Sequence, residues 1–292
     1  MPLSKNTVRL GLIQSACLSN TEENLQNALE SARNAVERGA QIICLPEMYR
    51  SRYFCQTEDS SNFDLAETIP GPSTEAFQSF AKKHNAAIIV PVFEKRAEGL
   101  YHNSAVIIDA DGSIAGVYRK MHIPDDPCFY EKYYFTPGDS GFKCFETQFG
   151  RIGVLICWDQ WFPEAARLTA LSGAQIVFYP TAIGFQDCDA EISSAQADAW
   201  RTVQRGHAIS NGVFVASVNR VGREEAIQFW GDSFISDPFG KLIAQSSNEM
   251  PDILVADCDL GQIEETRRHW PFLRDRRVDS YSNILKLYND GQ

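Results

Sequence analysis

The apolar positions of this chain fall into two rhythms that alternate along its length. Residues 8–14, 41–45, 87–93 and 175–179 are short, nearly continuous apolar runs, the pattern of strands buried on both faces. Leu25, Ala28, Leu29, Ala32 and Val36 instead recur at helical spacing. Ser19-Asn20-Thr21-Glu22 before them resembles a capping box, and Gly39 closes the helix. Further helices are predicted over 73–84, 164–171, 192–210 and 261–269. Residues 103–109 and 113–120 flank Asp111-Gly112, a hairpin signal. Residues 142–147 lead by a short turn into the run 152–156, and 213–219, 232–236, 242–244 and 253–257 complete the strands. Residues 121–141 show no periodicity, are rich in Pro, Asp and aromatics, and are too long for an idle connection. Residues 270–292 read as an irregular tail. Two strand–helix–strand passages, one ending at Glu47 and one beginning at Cys157, predict an α/β fold in one domain. Its two mixed sheets pack face to face with helices outside.

Three of these strands stop at a residue that does not belong in a core. Ile42-Ile43-Cys44-Leu45-Pro46 runs into Glu47, Ile114-Ala115-Gly116-Val117-Tyr118-Arg119 into Lys120, and Ile152-Gly153-Val154-Leu155-Ile156 into Cys157. Phe162-Pro163-Glu164 then opens a helix, with Pro163 in its first turn and Glu164 at its positive end. Cys157 should therefore sit at the carboxyl end of a parallel strand, where open α/β sheets place their ligands. An inert buried thiol is the commoner fate of a free cysteine, and the strand alone leaves both readings open. Buried charge is costly unless paired, so Glu47 and Lys120 either form a structural pair or line a site. As a site the set is chemically complete. A carboxylate can deprotonate the thiol, an ammonium can hold the charge developing on an attacked carbonyl oxygen, and the backbone N–H of Trp158 stands beside it.

Composition narrows the field. The 292 residues, 44% of them hydrophobic, are enough for a full core, and no run is long or apolar enough to cross a bilayer. The start lacks the charged and apolar regions of a signal peptide, so a cytoplasmic protein is expected. A formal net charge of −11 argues against nucleic acid and is compatible with a cationic small-molecule substrate, although acidic balance commonly serves solubility. The eight cysteines form no Cys-x-x-Cys pair and the five histidines no metal-ligand spacing, so neither metal nor cofactor is expected.

Leu45-Pro46-Glu47, Tyr118-Arg119-Lys120-Met121-His122 and Cys157-Trp158-Asp159-Gln160-Trp161-Phe162-Pro163-Glu164 resemble, in order, the three motifs of the nitrilase superfamily of carbon–nitrogen hydrolases. The resemblance runs from Val8 to about Asp257. It implies a four-layer αββα sandwich over residues 1–292 with its core at about 8–257. It also implies dimers or assemblies of dimers; the tail 258–292, rich in Arg267, Arg268, Arg274, Arg276 and Arg277, reads as a subunit contact or as a solvated basic segment. It assigns Glu47 as general base, Lys120 as oxyanion stabiliser, Cys157 as nucleophile, and Glu131 as a second glutamate that orients the lysine.

Tyr53-Phe54-Cys55-Gln56, Ile123-Pro124-Asp125-Asp126-Pro127, the stretch from Glu131 to Asp139, and Tyr179-Pro180-Thr181-Ala182-Ile183-Gly184 narrow the resemblance. They are similar to the members that hydrolyse N-carbamoylputrescine to putrescine, carbon dioxide and ammonia in polyamine biosynthesis. That pattern has Ser-Glu after Ala-Ile-Gly, whereas Phe185-Gln186 stand here, which removes a carboxylate suited to the substrate's ammonium. Asp187, Asp125 and Asp126 are the candidates to replace it. Trp158, Tyr130, Tyr53 and Thr181 are expected to line the site, with the aromatics forming a slot for a four-carbon chain that also favours a cation. The alternatives are an amidase for an N-carbamoyl amino acid or ω-amide, and a non-catalytic scaffold or thiol sensor.

Overall fold

The computed structural model describes residues 6–186, 190–247 and 250–290, with the side chains of 190–193 excepted. Two six-stranded sheets carry the fold. The first runs in the order β15 (Asp252–Asp259), β1 (Thr7–Gln14), β2 (Ile42–Cys44), β3 (Ala87–Ala97), β4 (Leu100–Ile108), β5 (Ile114–Arg119). The second runs β14 (Leu242–Gln245), β13 (Phe234–Ser236), β10 (Phe214–Val218), β8 (Ile176–Pro180), β7 (Gly150–Val154), β6 (Cys144–Thr147). Both are mixed. β1, β2 and β3 are parallel, as are β7, β8 and β10, and the outer strands pair antiparallel.

Side-chain alternation joins the sheets into one core. Leu10, Leu12, Ile42, Cys44 and Ile89 point inward to meet Ile152, Val154, Ile176, Phe178 and Phe214 of the second sheet. Their neighbours Ile13, Ile43, Ile88 and Val90 point outward onto α1 (Thr21–Glu37) and α2 (Pro72–His84). The second sheet is covered by α4 (Pro163–Leu171) and α5 (Ala190–Asn211). Both parallel triplets are thus buried on both faces, which is why their sequences read as continuous apolar runs. The predicted α/β sandwich with its helices outside is the observed one. Asn20 caps α1 by accepting from the N–H groups of Glu22 and Glu23.

The expected strands and long helices are present, with bounds that differ by a few residues. Two features were not expected, the third sheet and the helical turn within 121–141, while the tail is irregular as read. β9 (Gly184–Gln186), β11 (Val221–Glu224) and β12 (Ile227–Trp230) form a third, three-stranded sheet. The aperiodic stretch 121–141 contains one helical turn, α3 (Glu131–Tyr134). After α6 (Gly261–His269) the tail holds only two short 3-10 turns, with Ile284, Leu285, Leu287 and Tyr288 exposed. Among the described residues no helix is long and apolar enough to cross a membrane, and no His/Cys/Asp/Glu cluster is arranged to hold a metal.

Candidate active site

Each strand-end residue flagged by the sequence arrives at one buried cluster. β2 ends at Cys44, and Leu45 still bonds to the carbonyl of Ile89 before the chain turns. Pro46 then delivers Glu47, whose side chain has no exposure, and Met48 turns the chain away at φ 49°. β5 ends at Arg119, and the backbone N–H of Lys120 donates to Asn103 O on β4 at 2.8 Å. Lys120 Nζ donates to Glu47 Oε1 at 2.8 Å and to Glu131 Oε2 at 2.6 Å, with all three side chains at most 1% exposed. Asn103 Nδ2 adds a donor to Glu47 Oε1 at 2.7 Å, and the hydroxyl of Tyr53 donates to Glu131 Oε1 at 2.8 Å. Glu47 Oε2 is buried and has no partner among the described residues. A carboxylate fixed through one oxygen and idle at the other is placed to take a proton.

The electrostatics follow from counting charges. Burial alone would lower the Lys120 pKa, but Glu131 and Glu47 outweigh it and hold the amine well above its ordinary value, as an ammonium. One ammonium cannot balance two carboxylates in the same dry volume. Burial pushes Glu131 up to about 7 against the pull of Lys120, and Glu47 adds repulsion.

Cys157 follows β7, where Leu155 still pairs with Phe178 O, and opens a 3-10 turn over Cys157–Trp161. Its φ of 44° lies in the left-handed region, a conformation that non-glycine residues adopt at a cost and that clusters at functional sites. Sγ lies 3.8 Å from Ala182 O, in the loop after β8. Burial, and after it the Glu47 carboxylate, hold the thiol well above its usual range, while Lys120 pulls the other way. The resting sulfur is thus a thiol that needs a base, and Glu47 is close enough to act on its charge.

Cys157 and Glu131 open into a cavity of ≈ 410 Å³ lined also by Asp126, Phe129, Trp158, Trp161, Gln186 and Gln196. That volume suits a small organic molecule. Of the residues expected to meet a substrate, Trp158 lines this cavity. Tyr53 does not: it is 1% exposed, and its hydroxyl is spent on Glu131. Thr181 does not either, being fully buried with its hydroxyl bonded inward to Gln160 and Tyr179. Tyr130 is half-buried and bonds through its backbone to Cys55 O. Asp125 is exposed and off the lining, whereas its neighbour Asp126 is on it. Asp187 lies outside the described residues. Sequence reasoning missed Asn103, Trp161 and Gln196. Asn103 had a signal, since His102-Asn103-Ser104 is a polar triplet inside an otherwise apolar strand. His122, two residues after Lys120, turns Nδ1 to Asp159 Oδ1 at 2.7 Å.

Comparison with known proteins places the chain in a family. A family model described as carbon-nitrogen hydrolase matches residues 9–268. An N-carbamoylputrescine amidase of Solanum lycopersicum is 44% identical over 289 residues, covering 96% of this chain and 95% of the relative. A citrullinase of Francisella tularensis is 41% identical over 96% of this chain and 99% of its own. The crystal structure of a carbon-nitrogen hydrolase from Helicobacter pylori G27 superposes with a TM-score of 0.93 at 44% identity, covering 96% of this chain and 99% of that one. With the strand-end cluster in place and matches of this extent, the chain belongs to the carbon–nitrogen hydrolase family.

Proposed function

We propose that this protein hydrolyses N-carbamoylputrescine to putrescine, carbon dioxide and ammonia through a covalent intermediate on Cys157. The observation that carries the reading is the meeting of Glu47, Lys120 and Cys157 from three strand ends, with Glu47 Oε2 unpartnered behind the cavity that exposes the sulfur. Glu47 takes the thiol proton and Sγ attacks the carbamoyl carbon. The oxyanion is held by Lys120 and the backbone N–H of Trp158. Collapse expels the terminal nitrogen as ammonia, which takes its proton from Glu47. Water, deprotonated by Glu47, then attacks the thiocarbamate carbon and frees Cys157. The released carbamate takes up a proton and loses carbon dioxide to leave putrescine. Glu131 acts through Lys120, keeping the ammonium aimed.

Two features favour an amine over a carboxylate at the distal end. Among the described lining residues there is no Lys or Arg, and Asp126 lies at the wall with Trp158 and Trp161 beside it. A carboxylate and aromatic faces both attract an alkylammonium. An N-carbamoyl amino acid is the second reading, because the citrullinase relative is nearly as similar. Assembly into dimers, in the cytoplasm, belongs to the same reading, and Leu168 and Leu171 on α4 with Ile284, Leu285 and Leu287 of the tail are exposed in the single chain as a subunit contact would require. Ammonia release from N-carbamoylputrescine, citrulline and N-carbamoyl-β-alanine decides the substrate, and preference for either acid rejects the diamine. Cys157→Ala and Cys157→Ser decide the chemistry: turnover should disappear, and substantial residual ammonia release removes the covalent mechanism.

A further inference from the structure

The nucleophile turn contains a buried carboxylate that the reaction above does not use. Asp159 is fully buried and accepts four hydrogen bonds. Oδ1 accepts from the His122 backbone N–H at 3.0 Å and from His122 Nδ1 at 2.7 Å. Oδ2 accepts from the Tyr118 hydroxyl at 2.7 Å and from the Ile156 backbone N–H at 2.9 Å. These donors replace the water that burial removes, and they come from two places only. Tyr118 and His122 stand two residues before and two residues after Lys120, while Ile156 immediately precedes Cys157. The His122 ring also lies flat on Phe162, with centroids 3.6 Å apart and planes at 4°, at the far end of the same turn.

We propose that Asp159 is a positioning residue that sets the place of Cys157 Sγ relative to Lys120 Nζ. It links the strand end carrying the oxyanion donor to the turn carrying the nucleophile, and it stabilises the left-handed backbone at Cys157 through the preceding N–H. The inference rests on the reading of Cys157 as nucleophile. Asn at 159 has the same shape but presents only one acceptor oxygen. Of the two backbone donors, His122 N–H and Ile156 N–H, one would then face an amide that cannot accept. The elbow must shift, and displacement of reacting groups by about 1 Å costs on the order of 10²-fold in rate.

The test compares Asp159→Asn and Tyr118→Phe with the parent in kcat, KM, melting temperature and the rate of Cys157 carboxamidomethylation by iodoacetamide, followed on the Cys157 peptide. The expected result is a fall in kcat of on the order of 10²-fold for Asp159→Asn and roughly 10-fold for Tyr118→Phe. KM should stay within about 2-fold, with slowed alkylation and a folded protein. Retention of kcat with only a lower melting temperature would reduce Asp159 to a structural role and overturn the proposal, as would a change confined to KM. If Asp159→Asn does not fold, Tyr118→Phe, which removes a single hydroxyl, decides by the same criteria. Alkylation needs no natural substrate. Turnover by Cys157→Ser would therefore sink the parent mechanism, while normal kcat and alkylation in both variants would sink this inference alone.

Discussion

Lys120 is the single cation between two buried carboxylates, and its removal should be visible in stability as well as in turnover. In Lys120→Met the ammonium, 2.8 Å from Glu47 and 2.6 Å from Glu131, is replaced by an apolar chain of similar length. At an effective dielectric constant of about 20, each contact represents roughly 6 kcal/mol of gross attraction. Most of this is offset by the cost of desolvating the lysine and by repulsion between the acids. Stripping one partner from a buried ionic cluster has a net cost of about 3–5 kcal/mol. For a chain of this size that corresponds to a loss of roughly 6–10 °C in melting temperature. Glu131→Gln should behave differently. It leaves one carboxylate facing one ammonium, and the amide oxygen can still accept from Lys120 or Tyr53, so a shift of at most about 2 °C is expected on the same scale.

The pH dependence supplies the sharper check. Without the pull of Lys120, Glu131 in the folded variant holds its proton more tightly still than in the unfolded chain, where glutamate titrates near about 4.3. Between those values the unfolded state binds fewer protons, so stability falls as pH rises. Glu131 already stands at about 7 with the lysine present. The deficit of Lys120→Met should therefore be smallest at about pH 5 and largest at about pH 8. Thermal unfolding followed by circular dichroism across that range measures it. A variant that melts with the parent at pH 8, or whose deficit grows toward acid, would refute the charge count on which the site is built.

Three further outcomes follow from the same geometry. Asp126→Asn should raise KM for N-carbamoylputrescine a few-fold, roughly the worth of a partly exposed ion pair, and leave butylurea, which carries no ammonium, unchanged; steady-state kinetics on both compounds checks it, and an unchanged KM for N-carbamoylputrescine moves the amine site elsewhere. Arg220→Met should cost about 3–5 kcal/mol in chemical denaturation, because fully buried Arg220 holds Glu224 at 2.6 Å and Ser51 O at 2.8 Å. The same variant should weaken turnover, since Glu224 Oε2 accepts from the Tyr53 N–H at 2.7 Å and so braces the tyrosine that holds Glu131; full activity would show that this brace is dispensable.

What the sequence disclosed and what it hid have separate physical origins. Glu47, Lys120 and Cys157 could be found because each breaks an apolar run, and a charge at the end of a buried strand has to be accounted for by a partner or a task. Here the partner is on view, since Lys120 and Glu47 pair across 73 residues of sequence, and both also act on the charge of the Cys157 thiol, as the proposed chemistry needs. The third sheet was hidden because β11 and β12 are four residues each. Gly222-Arg223-Glu224-Glu225 reads as polar loop, and β9 pairs with β12 from far away in the chain. Such strands owe their form to tertiary pairing rather than to their own pattern. Direction was hidden too. Tyr53 and Trp158 are equally plausible as aromatic walls, yet one turns its hydroxyl back to hold Glu131 and the other faces the cavity. Asp125 and Asp126 are adjacent on a segment without period, and only the bend that bonds the Phe129 N–H to Asp126 O at 2.7 Å settles which meets the cavity. Periodicity orders side chains only where backbone geometry repeats. The three catalytic candidates sit just beyond the last repeating residue, where the strand still fixes their direction. The candidate substrate contacts sit farther out on loops, where nothing in the pattern does, so candidate chemistry can be legible in a sequence that leaves its substrate open.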